Sequence, residues 1–497
     1  MSSPIKNIIK HSSVYSFSNI LSKSIGFLLI PVYTRYLTPS DYGTLEILSI
    51  TSQVLIIICT LGIGNGLLRV YLYDCKNQDE QKQATTAAYL FITFMSLLIF
   101  GLAIILASNI SELAFDSSKL SFWFIIVFIS GLLSVNNVIP MRVYRAERQS
   151  VKFTFVNLSK FILVLLSNIY FVVYLRLGVV GVLYGSLIGA AFAFGLNFVF
   201  VRNYFTRKFS FVQIKKMFRF GFPLLPAMLA LWIITSTDKY LLAQYSSLHD
   251  LGLYSMGLRF AVIFEIVFRM PFDTNWPSIC FPLAKQENAK QEFSKIFTYY
   301  LLAGSFLALT LALLAKPAIH IMTTHDYYES YQVVPILVAA FMFRGISSNI
   351  GIGIWLSGKT EYQALIMIGA SVMNILLNFI LIPIWGTMGA ATATIISFMV
   401  MAFAHYTISQ KLFPVKYEAL RIIKLGVAFS LPLILYYLYS PESTMIQVML
   451  AFLLCLSFIL LLIILNFFTD EEINWLKRTM QKRKLAFAVV TSVRNRF

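Results

Sequence analysis

Charged side chains stand inside stretches of this chain that are otherwise apolar enough to cross a membrane. Lys23 lies midway along the run 12–33, and Lys160 is flanked by Val156-Asn157-Leu158 and Ile162-Leu163-Val164. Asp238 and Lys239 interrupt 227–244, Arg259 and Glu265 interrupt 251–272, and Arg344 interrupts 333–356. A charge at mid-bilayer costs at least ~2.5–3.5 kcal/mol, so such groups usually face a protein interior or a wet cavity. Most of them are cations, and the chemistry they offer is the capture of an anion at membrane depth.

Each charge also has a purely structural reading. Arg69 and Arg269 lie near helix ends, where long basic side chains snorkel to the headgroups. Glu265 precedes Arg269 by four residues, so that pair can neutralise itself on one helix face. Asp238 and Lys239 are neighbours pointing about 100° apart on a helix and do not pair naturally. Asp238 is left to bridge to Arg259 or Arg344, or to take up a proton, which makes it the candidate for ion coupling. Lys23 and Arg344 have no local partner and read as cavity cations; for Lys160 the two readings balance.

These residues must be positioned by membrane-spanning helices. The chain of 497 residues is 58% hydrophobic and only 12% charged, with a mean hydropathy of +0.76. A soluble domain carries roughly 25% charged residues. Fourteen apolar runs of about twenty residues recur along it, each able to cross ~30 Å of hydrocarbon. The expected fold is therefore all-α and polytopic, with short loops and no room for a soluble domain. Of 40 lysines and arginines, 29 fall in alternate segments assigned to the cytoplasm, and four (Arg35, Lys119, Arg176, Lys316) fall in outer loops. That asymmetry predicts cytoplasmic termini. It explains the net charge of +18 by topology and anionic lipid contact, without nucleic acid.

The first run is too long for a cleavable signal peptide and has no small-residue cleavage site. No cysteine falls on the outer side, so no structural disulfide is expected. The five histidines show no metal-ligand spacing, and no nucleophile or phosphate-binding loop is visible, so the chain does not read as an enzyme.

A weak internal repeat is present. Gly178-Val179-Val180-Gly181 matches Gly386-Thr387-Met388-Gly389, and Asp41-Tyr42-Gly43 matches Asp250-Leu251-Gly252, at offsets of 208 and 209 residues. Six crossings separate the copies, so an axis along the membrane normal is expected. This predicts two six-helix halves, 1–210 and 211–412, followed by a terminal helix pair and basic tail, 413–497. The joint Arg202–Arg219 interleaves aromatic and basic residues and reads as an amphipathic segment on the cytoplasmic leaflet. Prolines in or beside the spans (31, 140, 223, 226, 271, 335, 383, 432) predict bends.

The stretch Pro31–Leu45, PVYTRYLTPSDYGTL, resembles the first-to-second helix region of Wzx-type polysaccharide-export flippases of the multidrug/oligosaccharidyl-lipid/polysaccharide superfamily. Thr237-Asp238-Lys239-Tyr240-Leu241-Leu242, followed by Gly252-Leu253-Tyr254-Ser255-Met256-Gly257, resembles their seventh and eighth helices. The resemblance covers the whole chain. It implies alternating access that carries a polyprenyl-pyrophosphate-linked oligosaccharide to the outer leaflet for O-antigen or capsule-type surface polysaccharide. Coupling to H+ or Na+, no tightly held cofactor, and a monomer working beside a polymerase and a chain-length regulator in the inner membrane are also implied. Lys23 and Arg259 match basic positions of the family; Arg344, Lys239 and Lys160 join them as substrate-binding candidates. Two other readings stand beside this one: a cation-coupled multidrug antiporter, which would want an acidic cavity, and a membrane-embedded polymerase or ligase, which would want a large outer loop.

Overall fold

In a computed structural model, residues 29–474 are described apart from 360, 440, 442 and 471, together with Phe27. Lys23, most of the first apolar run and the basic tail lie outside the described residues. The principal helices are α1 Ile30–Tyr36, α2 Pro39–Thr60, α3 Gln78–Ile105, α4 Ser121–Asn136, α5 Ser150–Asn168, α6 Gly178–Val201 and α7 Leu225–Tyr245. They continue with α8 Leu248–Phe264, α9 Ala289–Met322, α10 Val334–Ile350, α11 Glu361–Leu412, α12 Ala419–Tyr439 and α13 Thr444–Ile464. The chain is all-α and polytopic: twelve helical stretches among the described residues are long and apolar enough to cross a membrane.

The difference from fourteen has two sources. The first expected span is mostly undescribed, and α11 joins two expected spans. The 52 residues of α11 are more than twice what one crossing needs, since about twenty suffice. The helix breaks at Gly386, with φ 52° and ψ −125°. Such angles suit a residue without Cβ.

The repeat positions share local geometry as well as sequence. Thr38 Oγ1 accepts from Asp41 N–H at 3.2 Å to start α2. In the same way Ser247 Oγ accepts from Asp250 N–H at 3.0 Å to start α8. Each hydroxyl satisfies one of the N–H groups that a helix start leaves unpaired. Gly178 and Gly386 both have positive φ. The two capped starts also meet: a Cβ on Gly43 would lie 2.1 Å from Leu248 O, and one on Gly252 would lie 1.8 Å from Pro39 O. Only glycine lets these backbones touch.

The expected proline bends are partly displaced. Pro31, Pro226 and Pro335 occupy first turns, where the missing N–H breaks no helix bond. Much of the irregularity is instead π-helical, at Val70–Asp74, Ile169–Tyr174 and Glu265–Arg269.

The chain divides into two compact units. One contains the described residues through Pro282 together with Ala318–Pro414; the other contains Leu283–Pro317 with the described residues from Val415 on. Within the second unit, Phe306 packs on Phe458 at 5.9 Å, and Arg421 bridges Glu418 and Glu472 at 3.2 and 3.0 Å.

Candidate functional site

Within the first unit, α2, α4, α5, α6 and α8 enclose a cavity of about 440 Å³. Its polar wall carries Ser49, Gln53, Ser134, Asn168 and Ser186, and its charged groups are Glu46, Lys160 and Arg259. Lys160 and Asn168 both lie on α5, just over two turns apart, and so share a face. Asn168 donates to Tyr33 Oη at 2.7 Å, and the absent Cβ of Gly185 makes room for its amide: a Cβ there would lie 2.1 Å from Asn168 Oδ1.

Arg259 reaches across from α8. Its guanidinium lies over the Tyr42 ring at 4.8 Å, a cation–π contact that leaves the N–H donors free for other partners. Among the described residues, neither Lys160 nor Arg259 has an ion pair. The third charge is different. Glu46 is bound by Lys239 Nζ at 2.5 Å, joining α2 to α7, so its negative charge is neutralised. Lys160 and Arg259 remain at the wall without an ion pair among the described residues.

Tyr33 and Tyr42 join the cavity wall to an aromatic and backbone seam. Tyr42 packs edge-on to Tyr33 at 6.4 Å and to Tyr327 at 6.1 Å. Tyr327 Oη donates to Leu37 O at 2.9 Å, and Thr324 Oγ1 donates to Thr34 O at 2.9 Å. The Gly43–Gly252 crossing belongs to the same seam.

The six residues expected at one site are thus distributed. Arg259 and Lys160 line the cavity together. Lys239 is committed to Glu46 and so is no free cation. Asp238 does not bridge to Arg259 or Arg344; it accepts from Tyr254 Oη at 2.5 Å and from Lys239 N–H at 2.9 Å. Arg344 does have a partner, contrary to expectation: Nη1 lies 3.4 Å from Glu265 Oε2, and its guanidinium lies over Phe398 at 5.7 Å. Lys23 falls outside the described residues.

The predicted Glu265–Arg269 pair is present, with bonds of 2.5 and 2.6 Å. Arg269 does not snorkel, however; it is buried and also binds Asp273. A two-acid, two-arginine cluster satisfies charge internally where sequence spacing alone showed one pair. Arg69 is exposed, with its guanidinium over Phe220 at 5.1 Å.

Sequence reasoning missed Glu46, Tyr33, Tyr42 and Asn168. A signal existed for Asn168, which repeats the Lys160 face two turns on. For Glu46 the signal was a carboxylate among Leu45, Ile47 and Leu48, but its partner, 193 residues away, left none.

Comparison with known proteins agrees with this architecture. Residues 32–271 match the family described as Polysaccharide biosynthesis protein, just under half of the chain. An uncharacterized membrane protein of Haemophilus influenzae is 23% identical over 269 residues, 52% of this chain and 62% of that protein, under two thirds of its length. One from Methanocaldococcus jannaschii is 21% identical over 428 residues, 79% of this chain and 82% of its own. Among solved structures, the lipid II flippase MurJ in an inward closed conformation superposes with a TM-score of 0.72 at 16% identity, covering 90% of this chain and 98% of that one. An inward-facing multidrug resistance MATE family transporter of the MOP superfamily gives 0.63 at 14% identity, covering 78% and 94%. The chain therefore has the MurJ/MATE-like fold, and residues 32–271 are similar to a polysaccharide biosynthesis family. The two superposed structures are a lipid II flippase and a multidrug resistance transporter.

Proposed function

We propose that this protein is a flippase for a lipid-linked anionic glycan, working by alternating access with its cavity as the headgroup site. The observation that carries the reading is the pair Lys160 and Arg259, two cations with no ion pair among the described residues, in a cavity whose wall mixes leucine, isoleucine and valine with hydroxyls, amides and tyrosines. A pyrophosphate leaving water needs its hydration replaced, and charge-assisted bonds are roughly twice as strong as neutral ones. Serine, glutamine and asparagine suit sugar hydroxyls. In this reading the two repeat halves rock, the seam at Tyr42–Tyr327 parts for release, and Asp238 couples the cycle to H+ or Na+. The glycan is a surface-polysaccharide repeat unit on a polyprenyl carrier in the inner membrane, handed on to a polymerase and chain-length regulator. The multidrug antiporter is the weaker reading, because the one acid at the wall, Glu46, is already paired with Lys239.

The test is complementation of a strain lacking its surface-polysaccharide flippase, with variants matched for membrane abundance. Lys160→Gln and Arg259→Gln together should lower surface polysaccharide by about ten-fold or more, the scale of losing charge-assisted contacts. Lipid-linked repeat units should then accumulate on the inner leaflet. Full polysaccharide from the double variant would sink the cationic-cavity account.

A further inference from the structure

A second recess lies where cations are scarce. Of the four basic residues assigned to outer loops, Arg35 and Arg176 line one recess of about 370 Å³, with Tyr36, Val172 and Gly178. Both arginines are exposed, and among the described residues neither has an ion pair. Arg176 has a φ of 53°, a left-handed conformation at a helix end, where glycine is the usual occupant. The helix closes around it by Leu177 N–H donating to Phe171 O at 3.0 Å.

The recess is in register with the main cavity. Lys160, Val164, Asn168, Val172 and Arg176 recur every four residues along α5 and its π-helical continuation. The first three line the cavity and the last two line the recess. At 1.5 Å of rise per residue, Lys160 and Arg176 are about 24 Å apart along the axis. On α1, Tyr33 faces the cavity, and Arg35 and Tyr36 face the recess. Arg176 also borders an adjoining groove of about 580 Å³ lined by Leu166, Ile169, Tyr170, Val173 and Tyr174. Tyr170 and Tyr174 stack there at 5.7 Å, 51% and 78% exposed.

We propose that recess and groove form an exit station for an isoprenoid diphosphate lipid: Arg35 and Arg176 hold the diphosphate while the groove holds the first isoprene units. Two guanidinium forks match phosphate oxygens bidentately, and the groove is apolar where the chain would leave the headgroup. The shared register with the cavity favours the transported lipid over bulk anionic phospholipid, which does not pass through Lys160. This proposal rests on the flippase reading and on the outward orientation of the 34–38 and 175–178 turns.

The test uses the purified full-length protein with a benzophenone amino acid replacing Tyr174 and radiolabelled farnesyl diphosphate as probe. A photo-adduct is expected, lowered about ten-fold in Arg35→Gln/Arg176→Gln and unchanged in Lys119→Gln, an exposed lysine of another outer loop that does not line the recess. Unlabelled inorganic pyrophosphate should compete and phosphatidylglycerol should not. Because both arginines are exposed, their replacement leaves the fold intact, and an unchanged melting temperature checks this. An adduct that survives loss of both arginines, or that phosphatidylglycerol suppresses as well as farnesyl diphosphate does, overturns the exit station. Normal polysaccharide export by the cavity double variant would instead overturn the flippase cavity, and the adduct result would still decide this site.

Discussion

At the residue scale, the cavity's charge depends on one buried pair. Glu46 and Lys239 have side chains 15% and 9% exposed and are bonded at 2.5 Å. Without Lys239, Glu46 would stand beside Arg259 and cancel half of the site's positive charge. Breaking a buried pair by removing one partner costs about 3–5 kcal/mol, whereas replacing both with apolar groups is often neutral. Lys239→Met should therefore lower the melting temperature in detergent clearly, and Glu46→Leu/Lys239→Met should recover most of the loss. The double variant should also still export polysaccharide, because Lys160 and Arg259 are untouched. Equal destabilisation of single and double variants would show that the two charges are not coupled.

At the element scale, the α2–α8 crossing sets where the seam can part. Its two glycines sit at matching repeat positions, and each would drive a Cβ into backbone rather than into a yielding side chain. Gly252→Ala should cost about 1–3 kcal/mol by overpacking. Gly101 in α3 is the contrast, because a Cβ there meets no atom within 4 Å. Gly101→Ala should be neutral or stabilising by up to about 1 kcal/mol. Thermal unfolding of the two variants side by side checks this; matching losses would mean the crossing is looser than its distances imply. The helices themselves were legible because a bilayer demands about twenty apolar residues per crossing, and few other sequences satisfy it. The DxG starts were legible because a capping side chain and a small residue leave a local imprint. The π-helical stretches carry no such imprint, since Val70–Asp74 and Ile169–Tyr174 read as ordinary apolar helix. Pairings such as Arg344 with Glu265 or Lys239 with Glu46 depend on which helices become neighbours, and spacing within one helix cannot reveal that.

At the scale of the whole molecule, the orientation decides the direction of transport and the side on which Arg35 and Arg176 lie. It rests on the split of 29 basic residues against four between alternate loops. Each lysine or arginine near a span end resists translocation, so a bias of this size predicts which loops stay in the cytoplasm. The measurement uses a chain whose four cysteines are replaced by serine or alanine. Single cysteines then go in at Ser247, Ser440, Gln149 and Gln481, of which positions 440 and 481 lie outside the described residues. Ser247 caps α8, so its replacement sacrifices about 1 kcal/mol of cap without altering topology. Cysteines at 247 and 440 should react with an impermeant maleimide added to intact cells, whereas those at 149 and 481 should react only after the membrane is opened. Gln149 is the decisive position, because it sits among Arg142, Arg145, Arg148 and Lys152, one of the densest basic loops. Labelling there from outside would invert the orientation and place the arginine recess on the cytoplasmic face, where it could serve entry but not exit.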